Sequence, residues 1–199
     1  NWSTSIQIQG QPYLNKYASW VKANAEYFDS VGTHVVMGRG IGVQDTSTSP
    51  TVAVVNESFV KEFFKGANPI GQHFGLPGPT SPGDFQIVGV VEDTVYQSVR
   101  WTNHSMYFLS MVQRAPSDKE PIEKDMSMYA GAIVLQTDHP INNMETLARR
   151  TLAAINPNLT VVKFQTFDQQ IADNFTQERM ISRLTLLFGA LALLLAMIG

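Results

Sequence analysis

Residues 51–74, TVAVVNESFVKEFFKGANPIGQHF, set out a strand, a helix and a stop in a single line. Residues 51–55 are a β-branched, apolar run suited to a buried strand. Asn56 follows, with a side chain short enough to accept a hydrogen bond from an exposed N–H of the first helical turn. Glu57 puts negative charge at the positive end of the helix dipole. Phe59, Val60, Phe63 and Phe64 fall at i, i+1, i+4 and i+5, which is one face of a helix. Gly66 suits the left-handed C′ position, and Pro69 keeps the helix from resuming. The stretch therefore predicts strand, helix and hard stop, and an α+β fold with helices packed on small sheets.

The pattern extends both ways. Residues 4–10 alternate Ile6 and Ile8 with polar residues and read as a half-buried strand ending at Gly10. Residues 24–32 read as a short helical turn closed by Gly32, residues 33–40 as a strand, and residues 43–50 as a polar loop. Residues 85–93 and 105–112 read as strands, and the charged, proline-containing residues 113–125 as a solvated loop. Residues 128–137 predict a further strand. Asn142 and Glu145 then form a capping box opening a helix whose buried face is Leu147, Ala148, Thr151, Leu152 and Ile155. Asn156 and Pro157 end that helix, and residues 159–164 read as the returning strand, so 129–164 is a strand-helix-strand unit. Thr166 and Gln169 form a second capping box, opening a last helix.

That helix runs into LTLLFGALALLLAMIG, residues 184–199, which has no charged residue. Nine strong inserters, among them Leu184, Leu187, Leu191 and Leu195, give about −4 to −5 kcal/mol for insertion at about −0.5 kcal/mol each. The run lacks the polar stripe of a core helix and is read as the start of a transmembrane helix. With Asn1 carrying neither methionine nor a signal-peptide pattern, the sequence is read as a fragment truncated at both ends. The rest suffices for one domain or two small ones, and 44% hydrophobic residues provide a core. A net charge of −3 without a basic block argues against nucleic acid as a partner. The absence of cysteine excludes disulfides, thiol catalysis and Cys-type zinc sites.

Candidate chemical sites weigh towards structure. GRGIG, residues 38–42, precedes a polar loop and not a helix N-terminus, so turn glycines are the better reading than a dinucleotide loop. No phosphate-loop signature occurs, so the chain carries no ATPase of its own. His34, His73, His104 and His139 lack i, i+4 partners, which argues against a metal site. Glu92 and Asp93 could be an acid/base pair, but adjacent strand residues point to opposite faces. Phe59, Phe63 and Phe64 read as core. No catalytic residue, cofactor or metal is assigned.

Taken in order, five segments resemble the extracytoplasmic core domain of MacB/FtsX-type ABC transporter permeases. NAEYFDSVGTHVVMGRGI contributes Tyr27, Phe28, Gly32, Gly38 and Arg39. VAVVNESFVKEFFKGANPIGQHF contributes Asn56, Glu57, Pro69, Ile70 and Gly71. IVGVVEDTVYQSVR contributes Gly89 and Asp93. MYFL, residues 106–109, departs from the family pattern by placing Leu109 and Ser110 where proline is frequent. The last segment is residues 155–199. The resemblance implies a two-lobed domain: residues 1–50 and 126–180 as a membrane-proximal lobe, residues 51–125 as an inserted lobe, and 181–199 as the start of the second membrane helix. It implies a permease of the bacterial inner membrane with residues 1–180 outside the cytoplasm. The implied partners are a cytoplasmic ABC ATPase subunit or domain, a second permease copy, and a periplasmic adaptor or outer-membrane duct. The implied role is to transmit ATP-driven change across the membrane for export or lipoprotein handling, with Thr176, Gln177, Glu178 and Arg179 as a rigid coupling stalk. The alternative is a membrane-anchored sensor or binding module without an ATPase partner.

Overall fold

The computed structural model describes residues 2–94, 104–121, 124–125 and 129–173, together with residues 181, 184–186 and 188–189. The chain divides into two compact units, Asn1–Gln136 and Thr137–Gly199.

The first unit is built from β1 (Trp2–Ile8), β2 (Lys16–Ala23), α1 (Tyr27–Val31), β3 (Val35–Gly38), β4 (Val52–Asn56), α2 (Glu57–Phe64), β5 (His73–Gly75), β6 (Phe85–Val91) and β7 (Met106–Ser110). The strand order is β3-β6-β4-β7-β2-β1-β5, and β5 also pairs with β6. Six strands thus close into a ring. Its pairings alternate: β1 is antiparallel to β2, β2 parallel to β7, β7 antiparallel to β4, and β4 parallel to β6. The short β5 closes the ring against β1 and β6. One edge of β6 is shared, since Phe85 and Gln86 face β5 while residues 89–91 face β3.

The continuous apolar run of residues 52–55 reflects burial on both faces: all five residues of β4 are buried. Ala53 and Val55 join Ile6, Ile8, Ala18, Phe74, Ile87, Tyr107 and Leu109 in one cluster. Val54 faces the other way, with Phe28, Ile41, Val91, Met106 and Phe108. The helical face predicted from residues 59–64 fills the first cluster. Phe59 is fully buried, and its ring lies 4.5 Å from that of Phe63 and 5.2 Å from that of Phe74. Such aromatic pairs add about 0.5–1.5 kcal/mol beyond area burial.

Several sequence expectations differ from the structure. β2 and β5 carried no sequence assignment. Strands from residues 1–50, expected in a lobe apart from 51–125, are hydrogen-bonded into the same sheet as β4, β6 and β7. The reason is long-range pairing: β2 lies beside β7, and β3 beside β6.

The second unit contains α3 (Met144–Ile155) and a further helical stretch over residues 167–173. Residues 128–137 and 159–164 are expected as strands; none of the described residues of either segment forms a strand. A β-branched segment becomes a strand only with a partner alongside. The N-cap of α3 is Asn143, left-handed at φ 61° and without a side-chain cap bond, so the expected Asn142 capping box is not formed. The expected buried face of α3 is not buried either, as Leu147 is 53% and Ile155 74% exposed. The second capping box does form: the Thr166 N–H donates to Gln169 Oε1 (3.0 Å) and the Gln169 N–H to Thr166 Oγ1 (3.2 Å). Among the described residues no helix is long and apolar enough to cross a membrane. Leu184 is helical and exposed; Leu187, Leu191, Leu195 and the stalk residues Thr176, Gln177, Glu178 and Arg179 lie outside the described residues.

Candidate functional site

The residues singled out from the sequence gather into two knots on the first unit. The first sits where β4 passes into α2. Asn56, 2% exposed, accepts from the Phe59 N–H (3.0 Å) as the N-cap that its position predicts. The same Oδ1 accepts from the Met106 N–H (2.8 Å), and Nδ2 donates to the His104 carbonyl (2.8 Å) and to Asp93 Oδ1 (2.6 Å). One amide therefore joins the end of β4, the start of β7 and the residues after β6. Asp93 also accepts from the Ser58 N–H (3.0 Å) and the Ser58 hydroxyl (2.6 Å), adding a carboxylate at the positive end of the α2 dipole. Glu57 lies exposed in that first turn. Nearby, Ser19 Oγ and His104 Nε2 are 2.7 Å apart, and the Ser105 hydroxyl donates to Glu62.

The second knot joins β3 to β6. Gly38 has φ 69°, and a Cβ there would lie 2.3 Å from the Val88 carbonyl oxygen. A Cβ on Gly89 would lie 1.9 Å from the Arg39 carbonyl oxygen. Both positions need glycine because two backbones approach more closely than a side chain allows. Arg39 forms a two-pronged pair with Asp45, at 2.7 and 2.8 Å, and the Gly42 N–H donates to the same carboxylate (2.8 Å). The Asp45 side chain is 3% exposed. Burial pushes its carboxyl up, but the Arg39 and Gly42 hydrogen bonds and the Arg39 charge prevail and hold it below the usual range. The hydrogen bond to Asp45 raises Arg39 in turn. GRGIG is thus a turn locked by an ion pair, as the turn reading expects.

The remaining motif residues are also engaged structurally. The Phe28 ring meets that of Phe108 edge-on at 5.0 Å, and Tyr27 packs beside both. Gly32 is the left-handed cap of α1 at φ 71°. Pro69 is fully buried, and the Gly71 N–H donates to the Ile87 carbonyl (2.8 Å), so the turn ends by joining β6. Glu92 and Asp93 are not brought together as a pair. Glu92 accepts from the His34 N–H (2.9 Å) and lies 2.8 Å from its Nδ1, contacts that lower its pKa, whereas Asp93 serves α2. Among the described residues no three His, Asp or Glu side chains are grouped to hold a metal ion.

Residues beyond the sequence reading complete the picture. Gln113, 4% exposed, accepts from the Val52 N–H (3.1 Å) and donates to the Thr46 and Pro50 carbonyls, tying the 45–50 loop to β4. Asp45 and Gln113 sit in segments whose polar composition gave no reason to prefer them. Tyr107 is buried, and burial pushes its hydroxyl up to about 12, partly offset by its hydrogen bond with Thr4.

These features define a class: an α+β scaffold domain whose shared motif positions fix caps, turns and close strand contacts. Residues 3–148 match the family model described as the MacB-like periplasmic core domain, and the chain belongs to that family. It is a periplasmic core domain of the kind carried by MacB-like ABC transporter permeases. Among solved structures it is similar to the periplasmic region of MacB from Actinobacillus actinomycetemcomitans, at 19% identity over 77% of this chain and 61% of that one, with a TM-score of 0.49. A permease-protein domain from Porphyromonas gingivalis matches at 14% identity over 79% and 61%, with a TM-score of 0.50. The extracellular domain of the ABC-type transporter YknZ from Gram-positive bacteria matches at 14% identity over 54% and 53%, with a TM-score of 0.39. The chain therefore spans about three-fifths of the length of the first two. No curated protein matches it.

Proposed function

We propose that this domain transmits an ATP-driven conformational change from the cytoplasmic side of a membrane to a process outside it, in export or lipoprotein handling. The observation that supports this reading is the construction of the first unit. Six of its strands close into a ring, and its motif residues tie β4, β6 and β7 together and cap α2, which makes a body able to move as one piece. Energy would come from a partner ABC ATPase subunit or domain, acting on a pair of permease copies, with a periplasmic adaptor or outer-membrane duct as the further partner. Residues 184–199 supply the start of the membrane helix, led by Leu184, Leu187, Leu191 and Leu195. The helix opened by the Thr166–Gln169 box, continued through Thr176, Gln177, Glu178 and Arg179, is the stalk that carries the movement.

The test is Gln177→Pro in the full-length permease with its ATPase. Proline removes a helical hydrogen bond and clashes with the preceding turn, at a cost of about 3 kcal/mol. The expected outcome is normal insertion and ATP hydrolysis with loss of the extracytoplasmic output, while Gln177→Ala is nearly silent. Full output from the proline variant at normal expression would refute the stalk.

A further inference from the structure

A depression of about 370 Å³, open to solvent, lies beside the end of α2, with buried Phe63 and Phe64 and exposed Gln11, Lys65, Asn68 and Gln72 in its lining. Its size lies within the range of small-ligand sites. The wall is mixed: two phenylalanines from the core side, three amides and one ammonium. No acidic residue lines it. Among the described residues the side chains of Gln11, Lys65 and Gln72 have no hydrogen-bond or ion-pair partner. Asn68 uses only Oδ1, accepting from the Ile70 N–H (3.0 Å). The free groups are therefore mostly donors, beside one unit of positive charge.

Lys65 makes the second observation. It caps α2 in a left-handed backbone, φ 54°, and Gly66 beside it is left-handed too, φ 82°. Glycine takes that conformation freely and lysine does not. The left-handed turn ends the helix and stands Lys65 at its C-terminal end, in the lining of the depression. The negative end of the α2 dipole opposes an anion here, but only with about half a charge. Three of its carbonyls are already engaged: Val60 by the Lys65 and Gly66 N–H groups, Phe64 by Ala67, and Glu62 by Lys16 Nζ. The full charge of Lys65 outweighs what remains.

We propose that this depression binds a small carboxylate bearing an apolar group, the carboxylate held by Lys65 and the amides of Gln11 and Gln72, the apolar group set against Phe63 and Phe64. Two sources supply that chemistry, the C-terminal residue of a polypeptide and a free amphipathic acid. The site is independent of whether the domain transmits movement.

The test is a titration of the 199-residue chain followed by amide-resolved NMR, with N-acetyl-L-leucine and its carboxamide as probes. The acid is expected to give saturable shifts at the Gln11, Asn68 and Gln72 side-chain amides, and the carboxamide to bind at least tenfold more weakly. Lys65→Gly suits the left-handed backbone, so it should fold at least as stably while binding the acid at least tenfold more weakly. Equal binding of acid and carboxamide, unchanged binding by Lys65→Gly, or no saturation would each overturn the proposal. A leucine-terminated tripeptide binding tenfold tighter than hexanoate would uphold it with a polypeptide end as the source; hexanoate binding as tightly or tighter would uphold it with a free acid.

Discussion

Helices α2 and α3 are both amphipathic, yet they end in opposite conditions. Ser58, Phe59, Phe63 and Phe64 of α2 are buried, and α3 has no buried residue. Every buried hydrophobic side chain among the described residues lies between Ile6 and Leu109. Amphipathicity states what a helix can bury; whether a surface is there to receive it depends on strands far away in the chain. Around α2 those strands close a ring. In the unit that holds α3, residues 159–164 form no ladder.

The sharpest way to break this contrast is to truncate one apolar side chain in each helix. Phe59→Ala is expected to cost about 3–5 kcal/mol in urea unfolding, against less than about 0.5 kcal/mol for Ile155→Ala. Equal losses would mean that α3 is buried in solution. A smaller effect is expected at the strand contacts. Gly89→Ala forces a methyl against the Arg39 carbonyl and should cost about 1–3 kcal/mol. Gly131→Ala, with nothing within 4 Å of its added Cβ, should be nearly silent by the same measurement. Asn56→Ala removes a cap and leaves the Met106 N–H without its acceptor, for about 1–2 kcal/mol. Thr166→Ala, at the exposed cap, should cost less than half of that.

A further effect is confined to alkaline solution. The Tyr107 hydroxyl titrates near 12 in the fold, against an ordinary 10.0 in the unfolded chain. Its contribution is present in full below about pH 10 and is lost as pH rises through 12. Stability should therefore fall across that window in the wild type and more gently in Tyr107→Phe. Tyrosinate absorbance rising near pH 10 for all six tyrosines would contradict the burial of Tyr107.

What the sequence made legible follows the same division. Strand β4, the Asn56 cap, the α2 face, Gly32 and Gly66 depend on neighbours within a few residues, and each stands where the pattern put it. β2 depends on β7, more than eighty residues on, and its own pattern of KYASWVKA alternates too weakly to declare a strand. β5 has only three residues, too short for any periodicity. The candidate site divides likewise. Asn56 was legible as a cap, but Asp93 reaching back to Ser58 and Asp45 pairing with Arg39 are products of the fold. The strand readings beside α3 erred because β-branched composition favours a ladder only where a partner strand lies alongside.

The ring has one thin joint. β5 meets β1 through two residue pairs and β6 through two more, whereas β1 and β2 share five. A closed ring exchanges its amide protons only when it opens, and it opens first where the fewest bonds must break together. That places the breathing point at residues 73–75, away from both motif knots. The amides of residues 73–75 are therefore expected to exchange before those at the Asn56 and Arg39 junctions.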